Sequence, residues 1–160
     1  MRWVPITLKE NPNEIHTYIQ SSNKIRITNY FHWSSLKHAA ALVEPSGGSV
    51  VDIGCGEGYL IPTLSKYFDK VVGVDVSERM LNSAKLNFSF PNVLYLLDNI
   101  VSQHYSELTK GKYEWVICLE VLEHIREWDT ALTNMMKLLS PQGRILLSMP
   151  VEVGLPLLIK

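Results

Sequence analysis

The sequence predicts an α/β fold in which a doubly wound parallel sheet carries helices on both faces, and two observations lead there. The first is a short apolar run, Val50, Val51 and Ile53, followed at once by glycines at alternate positions, Gly54, Gly56 and Gly58. Directly after them Leu60, Ile61, Leu64, Tyr67 and Phe68 recur on one face at the helical period of about 3.6. The second is repetition of this alternation. Apolar runs at Lys70 to Asp75, Val93 to Leu97, Tyr113 to Leu119 and Arg144 to Met149 are separated by stretches with helical spacing. Strands alternating with helices build a parallel sheet through right-handed crossovers. We expect five strands in the order 3-2-1-4-5, with ligands held beyond their carboxyl ends, at the switch point between the first and fourth.

In chain order, residues 1–45 differ in character from the rest and are expected to form an N-terminal helical segment, with residues 46–160 as the sheet domain. Pro12 and Asn13 mark the start of a short helix carrying Ile15, Tyr18 and Ile19. After a polar break from Gln20 to Lys24, Leu36, Ala39, Ala40 and Val43 are spaced for burial on a second helix that stops at Pro45-Ser46-Gly47-Gly48. Ahead of it lies an aromatic cluster, Tyr30, Phe31, His32 and Trp33, read as packing against the sheet or as the wall of a ligand site. Beyond the second strand, Ser77 has the position and side chain of a helix N-cap, with Met80, Leu81, Ala84 and Phe88 as the apolar face. Asp98 and Asn99 end the third run, and residues 102–110 read as a short connecting helix. Asp129 is expected to cap the next helix, whose face is Ala131, Leu132, Met135, Met136 and Leu139. Pro141-Gln142-Gly143 then turns the chain into the fifth strand.

The totals exclude several classes. A chain of 160 residues is long enough for one domain with a real core. A net charge of −1, with lysines and arginines scattered rather than clustered, gives no attraction to nucleic acid or anionic membrane. The most apolar stretch, Ile145 to Ile159, is broken by Pro150, Glu152, Gly154 and Pro156, so no membrane span is expected. The N-terminus has no secretory pattern. The two cysteines, Cys55 in the glycine loop and Cys118 in a strand, are expected to be reduced, in a cytoplasmic protein.

The glycine spacing narrows the ligand. Tyr59 stands where a dinucleotide fingerprint has its last glycine, which argues against an NAD dehydrogenase, and no Gly-Lys-Ser/Thr follows to make a phosphate loop. Asp52 precedes the first glycine by two residues and Glu57 lies within the loop. Two carboxylates repel a pyrophosphate and suit a cation. Asp75 ends the next strand 23 residues after Asp52, close to the interval at which an acid meets ribose hydroxyls.

Asp52-Ile-Gly-Cys-Gly-Glu-Gly58, with Gly73-Val-Asp75-Val76-Ser77 and its following Met80-Leu81 and Ala84-Lys85, resembles the class I S-adenosylmethionine (AdoMet) methyltransferases. The resemblance runs from about Val50 to Val153 and is nearest the small-molecule group with Glu120-Val-Leu-Glu123-His124 after the fourth strand, O-methyltransferases of quinone biosynthesis among them. It implies a Rossmann-like sheet, AdoMet as cofactor, and a small-molecule or lipid-like methyl acceptor. By the same resemblance the cofactor would be bound by Asp52, Gly54, Cys55, Gly56 and Gly58, by Asp75, Val76 and Met80, by Asp98 and Asn99, and by Glu120. Asp75 would take the ribose hydroxyls and Asp98 the adenine amino group, with Ile100 or Met80 on the ring. The N-terminal segment would form a lid.

For a hydroxyl acceptor, His124 is the candidate general base, because imidazole titrates near neutrality, with Glu120 beside it. A Glu-x-x-Glu-His segment also occurs in small-RNA 2′-O-methyltransferases, where a further histidine completes a metal site. This chain has no histidine after His124, so no metal is expected, although Glu120, Glu123 and His124 suit a weakly held hard cation. An RNA 2′-O-methyltransferase and a cofactor-binding module without turnover are the competing readings. The family fold adds two further strands after the fifth. The sequence ends where they would begin, which suggests a piece of a longer chain or a sheet edge covered by a second copy, as in a homodimer.

Overall fold

The computed structural model describes residues 25–44, 47–102 and 112–149, with side chains from Ser34 onward. Its elements are α1 (Ile25–Leu42), β1 (Ser49–Ile53), α2 (Ile61–Tyr67), β2 (Lys70–Asp75), α3 (Glu78–Asn87), β3 (Val93–Leu97), β4 (Tyr113–Leu119), a 3₁₀ turn (Leu122–His124), α4 (Trp128–Leu138) and β5 (Leu139–Ser148). All strand pairings are parallel and the order is β3-β2-β1-β4-β5, as the sequence predicts.

The pleat divides the core between two faces. Along β1, Val50 joins Leu36 and Ala40 of α1, Val43 just after it, and Ile61 and Leu64 of α2. Val51 and Ile53 point the other way, toward Ala131, Met135 and Leu138 of α4. The central strands are therefore covered on both sides, and Val50 and Val51 retain no exposure. Burying each such side chain stabilises the fold by roughly 1.5–3 kcal/mol. Helix α2 follows the glycine bend with Pro62 in its first turn, where a missing N–H costs nothing. Helix α3 is capped as expected, Met80 N donating to Ser77 Oγ at 3.4 Å.

Four local readings are corrected. Helix α4 begins at Trp128, one residue before Asp129, and has no side-chain cap; Asp129 Oδ1 instead accepts the neighbouring Thr130 N–H at 2.7 Å. Its buried face is Ala131, Asn134, Met135 and Leu138, while Met136 is exposed and Leu139 already belongs to β5. Pro141 to Gly143 lies inside β5, where pairing jumps from Tyr113–Leu139 to Trp115–Arg144 and the register shifts. The aromatic residues 30–33 fall within α1 rather than ahead of it. The expected helices at Asn13 and at 102–110 lie outside the described residues, apart from Ser102 itself, which is not helical.

Candidate functional site

The bend after β1 is tied to its neighbour by the backbone. Gly54 N and Cys55 N both donate to Val74 O, at 2.7 and 2.9 Å. Two glycines in the bend are required for different reasons. At Gly54, φ is +73° and a β-carbon would lie 2.3 Å from Val121 Cγ2, so both conformation and space exclude a side chain. At Gly56, φ is +55° but nothing lies within 4 Å of a β-carbon position, leaving open space above the backbone. Gly58 packs against Ala84 of α3 and Phe88, which caps that helix. Cys55 is buried beneath the bend, and burial, followed by the charges of Asp52 and Asp75, pushes its thiol far above the usual range, so it is no nucleophile.

The acids meet different surroundings. Asp52 is only 4% exposed, and burial, reinforced by Asp75, raises its carboxyl to about 7. A nearby cation would favour its charged form. Asp75 is held by two amides, Oδ2 accepting from Gly56 N at 2.9 Å and Oδ1 from Ser77 N at 2.8 Å. Each oxygen keeps a second lone pair for a hydroxyl donor. Asp98 Oδ1 accepts the Asn99 N–H at 2.7 Å, and Asp98 N donates to Asp75 O at 3.1 Å, so the tips of β2 and β3 are joined. Glu57 accepts the Tyr59 hydroxyl at 2.7 Å.

At the tip of β4 the backbone turns through Glu120 at φ 57°, in the left-handed region. Its Oε1 accepts from Ser148 Oγ at 2.7 Å and from Ser35 Oγ at 3.3 Å. His124 follows on the 3₁₀ turn with its ring exposed, 3.9 Å from the Glu123 carboxylate.

A cavity of about 560 Å³ opens over these strand tips. Of the residues singled out from sequence, Gly54, Asp75, Val76, Asp98, Asn99, Glu120 and His124 line it, together with Ile100. Asp52, Cys55, Gly56, Gly58 and Met80 do not line it; they lie in the bend, beneath it or on α3. The sequence reading missed Val121, which fills the space against Gly54, and Ile125, Arg126 and Glu127 at the cavity wall. It also missed Asn134, whose Nδ2 donates to Ile100 O at 2.8 Å and fixes the loop after β3. One signal was available for it: an asparagine on the buried side of α4, one residue before Met135, needs a polar partner.

The sheet runs in the order 3-2-1-4-5, and the cavity above β1, β2 and β4 is bordered by a glycine bend and separate acids. Residues 26–157 match the family described as a methyltransferase domain. The chain belongs to that methyltransferase family. Among its relatives, the ubiquinone biosynthesis O-methyltransferase of Dechloromonas aromatica is 32% identical over 103 residues, covering 64% of this chain and 44% of the relative. The protein of the same name from Coxiella burnetii is 32% identical over 115 residues, covering 71% of this chain and 48% of the relative. The chain therefore spans less than half the length of these relatives. Among solved structures, magnesium protoporphyrin IX methyltransferase from Synechocystis PCC 6803 with bound SAM superposes with a TM-score of 0.64 at 24% identity, over 80% of this chain and 64% of that one. N-methyltransferase NodS from Bradyrhizobium japonicum, in complex with S-adenosyl-L-homocysteine, gives 0.62 at 17% identity, over 86% and 72%. These two establish the methyltransferase fold. No described helix is long and apolar enough to cross a membrane.

Proposed function

We propose that this methyltransferase domain binds AdoMet and transfers its methyl group to a small-molecule or lipid-like acceptor, through a hydroxyl oxygen. The observation that carries the reading is the meeting of Gly54, Asp75, Asp98 and Glu120 around one cavity of about 560 Å³, a volume suited to a small molecule. The residues present fit the cofactor. The space over Gly56 admits a ligand against the backbone, and Asp75 retains acceptor capacity on both oxygens. Asp52 lies beneath the bend as a carboxyl that a cation would ionise.

In this reading the glycine bend (Gly54, Cys55, Gly56 and Gly58), with Asp52, holds the amino-acid end of the cofactor. Asp75 and Val76 hold its ribose. Asp98, Asn99 and Ile100 take the adenine, with Met80 behind them. When bound, the cofactor supplies a methyl group activated for displacement by its sulfonium. The protein's part is to align acceptor and methyl carbon, and alignment of that kind is worth up to ~7–11 kcal/mol. His124, exposed at the cavity wall, takes the acceptor proton, with Glu120 beside it. The hydroxyl acceptor is favoured by the quinone-biosynthesis O-methyltransferases among the relatives. A small acceptor rather than nucleic acid agrees with the net charge of −1. We further propose a cytoplasmic setting, consistent with two free, buried cysteines, and association through the outer edge of β5, by a second copy or by further strands of a longer chain.

Titration calorimetry with AdoMet, S-adenosylhomocysteine and NAD tests the cofactor. The first two are expected to bind and NAD is not; binding of NAD alone, or of none, overturns the reading. Methyl-labelled AdoMet with a phenolic acceptor then tests the transfer.

A further inference from the structure

We propose that Ser35 and Ser148 are positioning residues acting through Glu120, which together fasten helix α1 to the rim of the cavity so that ligand binding and α1 docking are coupled. The ligand's identity rests on the methyltransferase reading; the joint itself belongs to the ligand-free fold.

Glu120 is the one non-glycine residue with positive φ among the described residues. A side chain with a β-carbon is strained there, and such strain persists only where the surroundings hold it. The surroundings here are specific. Leu119 pairs with Ser148 at the end of the β4–β5 ladder, and Glu120 N then donates to Ser148 O at 3.1 Å. The Ser148 hydroxyl donates to Glu120 Oε1 at 2.7 Å, so one residue grips both the backbone and the side chain. The second grip comes from 85 residues away in sequence, the Ser35 hydroxyl donating to the same oxygen at 3.3 Å.

A serine within a helix ordinarily bonds back to its own helix. Its neighbour Ser34 stays local, its hydroxyl 3.2 Å from His38 Nδ1. Ser35 instead reaches across to the Glu120 side chain, leaving its own helix for a residue at the cavity rim. Glu120 Oε2 accepts no bond from the described residues, so one oxygen is committed to the scaffold and the other is left for what the cavity holds.

The C-terminal half of α1 has separate anchors. Leu36 and Ala40 are buried, as is Val43 just beyond the helix, and the next residue, Glu44, pairs with Arg144 at 2.7 Å. These hold the helix whether or not the cavity is filled. The Ser35–Glu120 bond is different because its acceptor lines the cavity. A ligand that restrains Glu120 therefore restrains α1, and by linkage a docked α1 strengthens ligand binding.

Backbone hydrogen exchange over residues 34–43 tests this, in the ligand-free chain and with saturating S-adenosylhomocysteine. Without ligand, Ser35→Ala is expected to raise exchange there at least threefold. Glu120→Gly, which removes the carboxylate while relieving the backbone, should do the same. The double variant should go no further than either, and β1 should be unaffected. Unchanged exchange in Ser35→Ala, or additive effects in the double variant, overturns the joint. With ligand, α1 should slow at least threefold in the wild type and in Ser35→Thr, which keeps the hydroxyl, but not in Ser35→Ala or Ser148→Ala. Residues 54–58 should slow in all four. Equal slowing of α1 in Ser35→Ala overturns the coupling. Absence of slowing at 54–58 in every form overturns the cofactor reading instead, and the ligand-free comparison still decides the joint.

Discussion

On the β1–β2 side of the cavity the acid is held by main-chain donors: Asp75 accepts from Gly56 N and Ser77 N, and the bend itself hangs from Val74 O. On the β4–β5 side the acid is held by hydroxyls: Glu120 accepts from Ser35 and Ser148, on a backbone that glutamate does not favour. Main-chain donors are present whatever side chains the sequence carries, so the first side depends on glycines that let the chain take its path. Side-chain donors vanish with one substitution. The proposed cofactor half is therefore specified by backbone conformation, and the proposed acceptor half by a few replaceable side chains.

The largest effect should come from breaking the backbone path. Gly54→Ala places a methyl 2.3 Å from Val121 Cγ2 and forces alanine to φ +73°. Overpacking and left-handed strain together should destabilise the fold by ~2–5 kcal/mol, read as a fall in thermal midpoint. Adding Val121→Ala should recover the packing part and leave the conformational part. If the double variant is no more stable than the single, Val121 is not what excludes the side chain.

Next in size is Asp75→Ala. Its loss removes the acceptor for two amides and the proposed ribose acceptor, and should weaken AdoMet binding by ~1–3 kcal/mol. Glu120→Gln should weaken it less, because glutamine still accepts from both serines. Equal losses, measured by calorimetry, would erase the contrast between the two sides.

Asp52 makes a smaller prediction, specific in pH. With its carboxyl near 7 in the ligand-free protein, the fraction ready for a cation rises about tenfold between pH 6 and 8. AdoMet affinity should rise by about tenfold over that interval, ~1.4 kcal/mol, and then level. Asp52→Asn should flatten the profile. Stability of the ligand-free protein should run the opposite way. The folded state holds a proton that the unfolded aspartate releases near pH 4, so this contribution is complete below pH 4 and is lost as pH rises through about 7. A wild-type affinity independent of pH between 6 and 8 would remove Asp52 from the cofactor's electrostatics.

The strands and their order were legible because a parallel sheet covered on both faces reads as near-continuous apolar runs; Val71, Val72 and Val74 announce β2 without any alternation to decipher. The same property blurred α4. From Ala131 to Leu139 apolar residues are dense enough to fit several faces, and only the packing against β1 and β4 selects Met135 over Met136. In the site, Asp75 and the glycines were visible because their local spacing carries the chemistry. Ser35, Ser148 and Asn134 were not, since each acts on a residue far away in sequence through a hydroxyl or amide with no pattern of its own. The neutral tendency of Asp52 was likewise hidden, because burial by neighbouring segments rather than the motif sets it.

The smallest prediction bears most directly on the contrast. Ser77 serves two purposes with different atoms: its hydroxyl caps α3 by accepting from Met80 N, and its main-chain N–H donates to Asp75 Oδ1. Ser77→Ala deletes the first and leaves the second intact. Loss of an N-cap costs ~1 kcal/mol, so the thermal midpoint should fall while AdoMet affinity stays within about twofold of wild type. A drop in affinity matching the Asp75→Ala variant would mean that the β2 acid needs a side chain to hold it after all, as Glu120 does. The two sides of the cavity would then differ in sequence but not in the kind of bond that sets them.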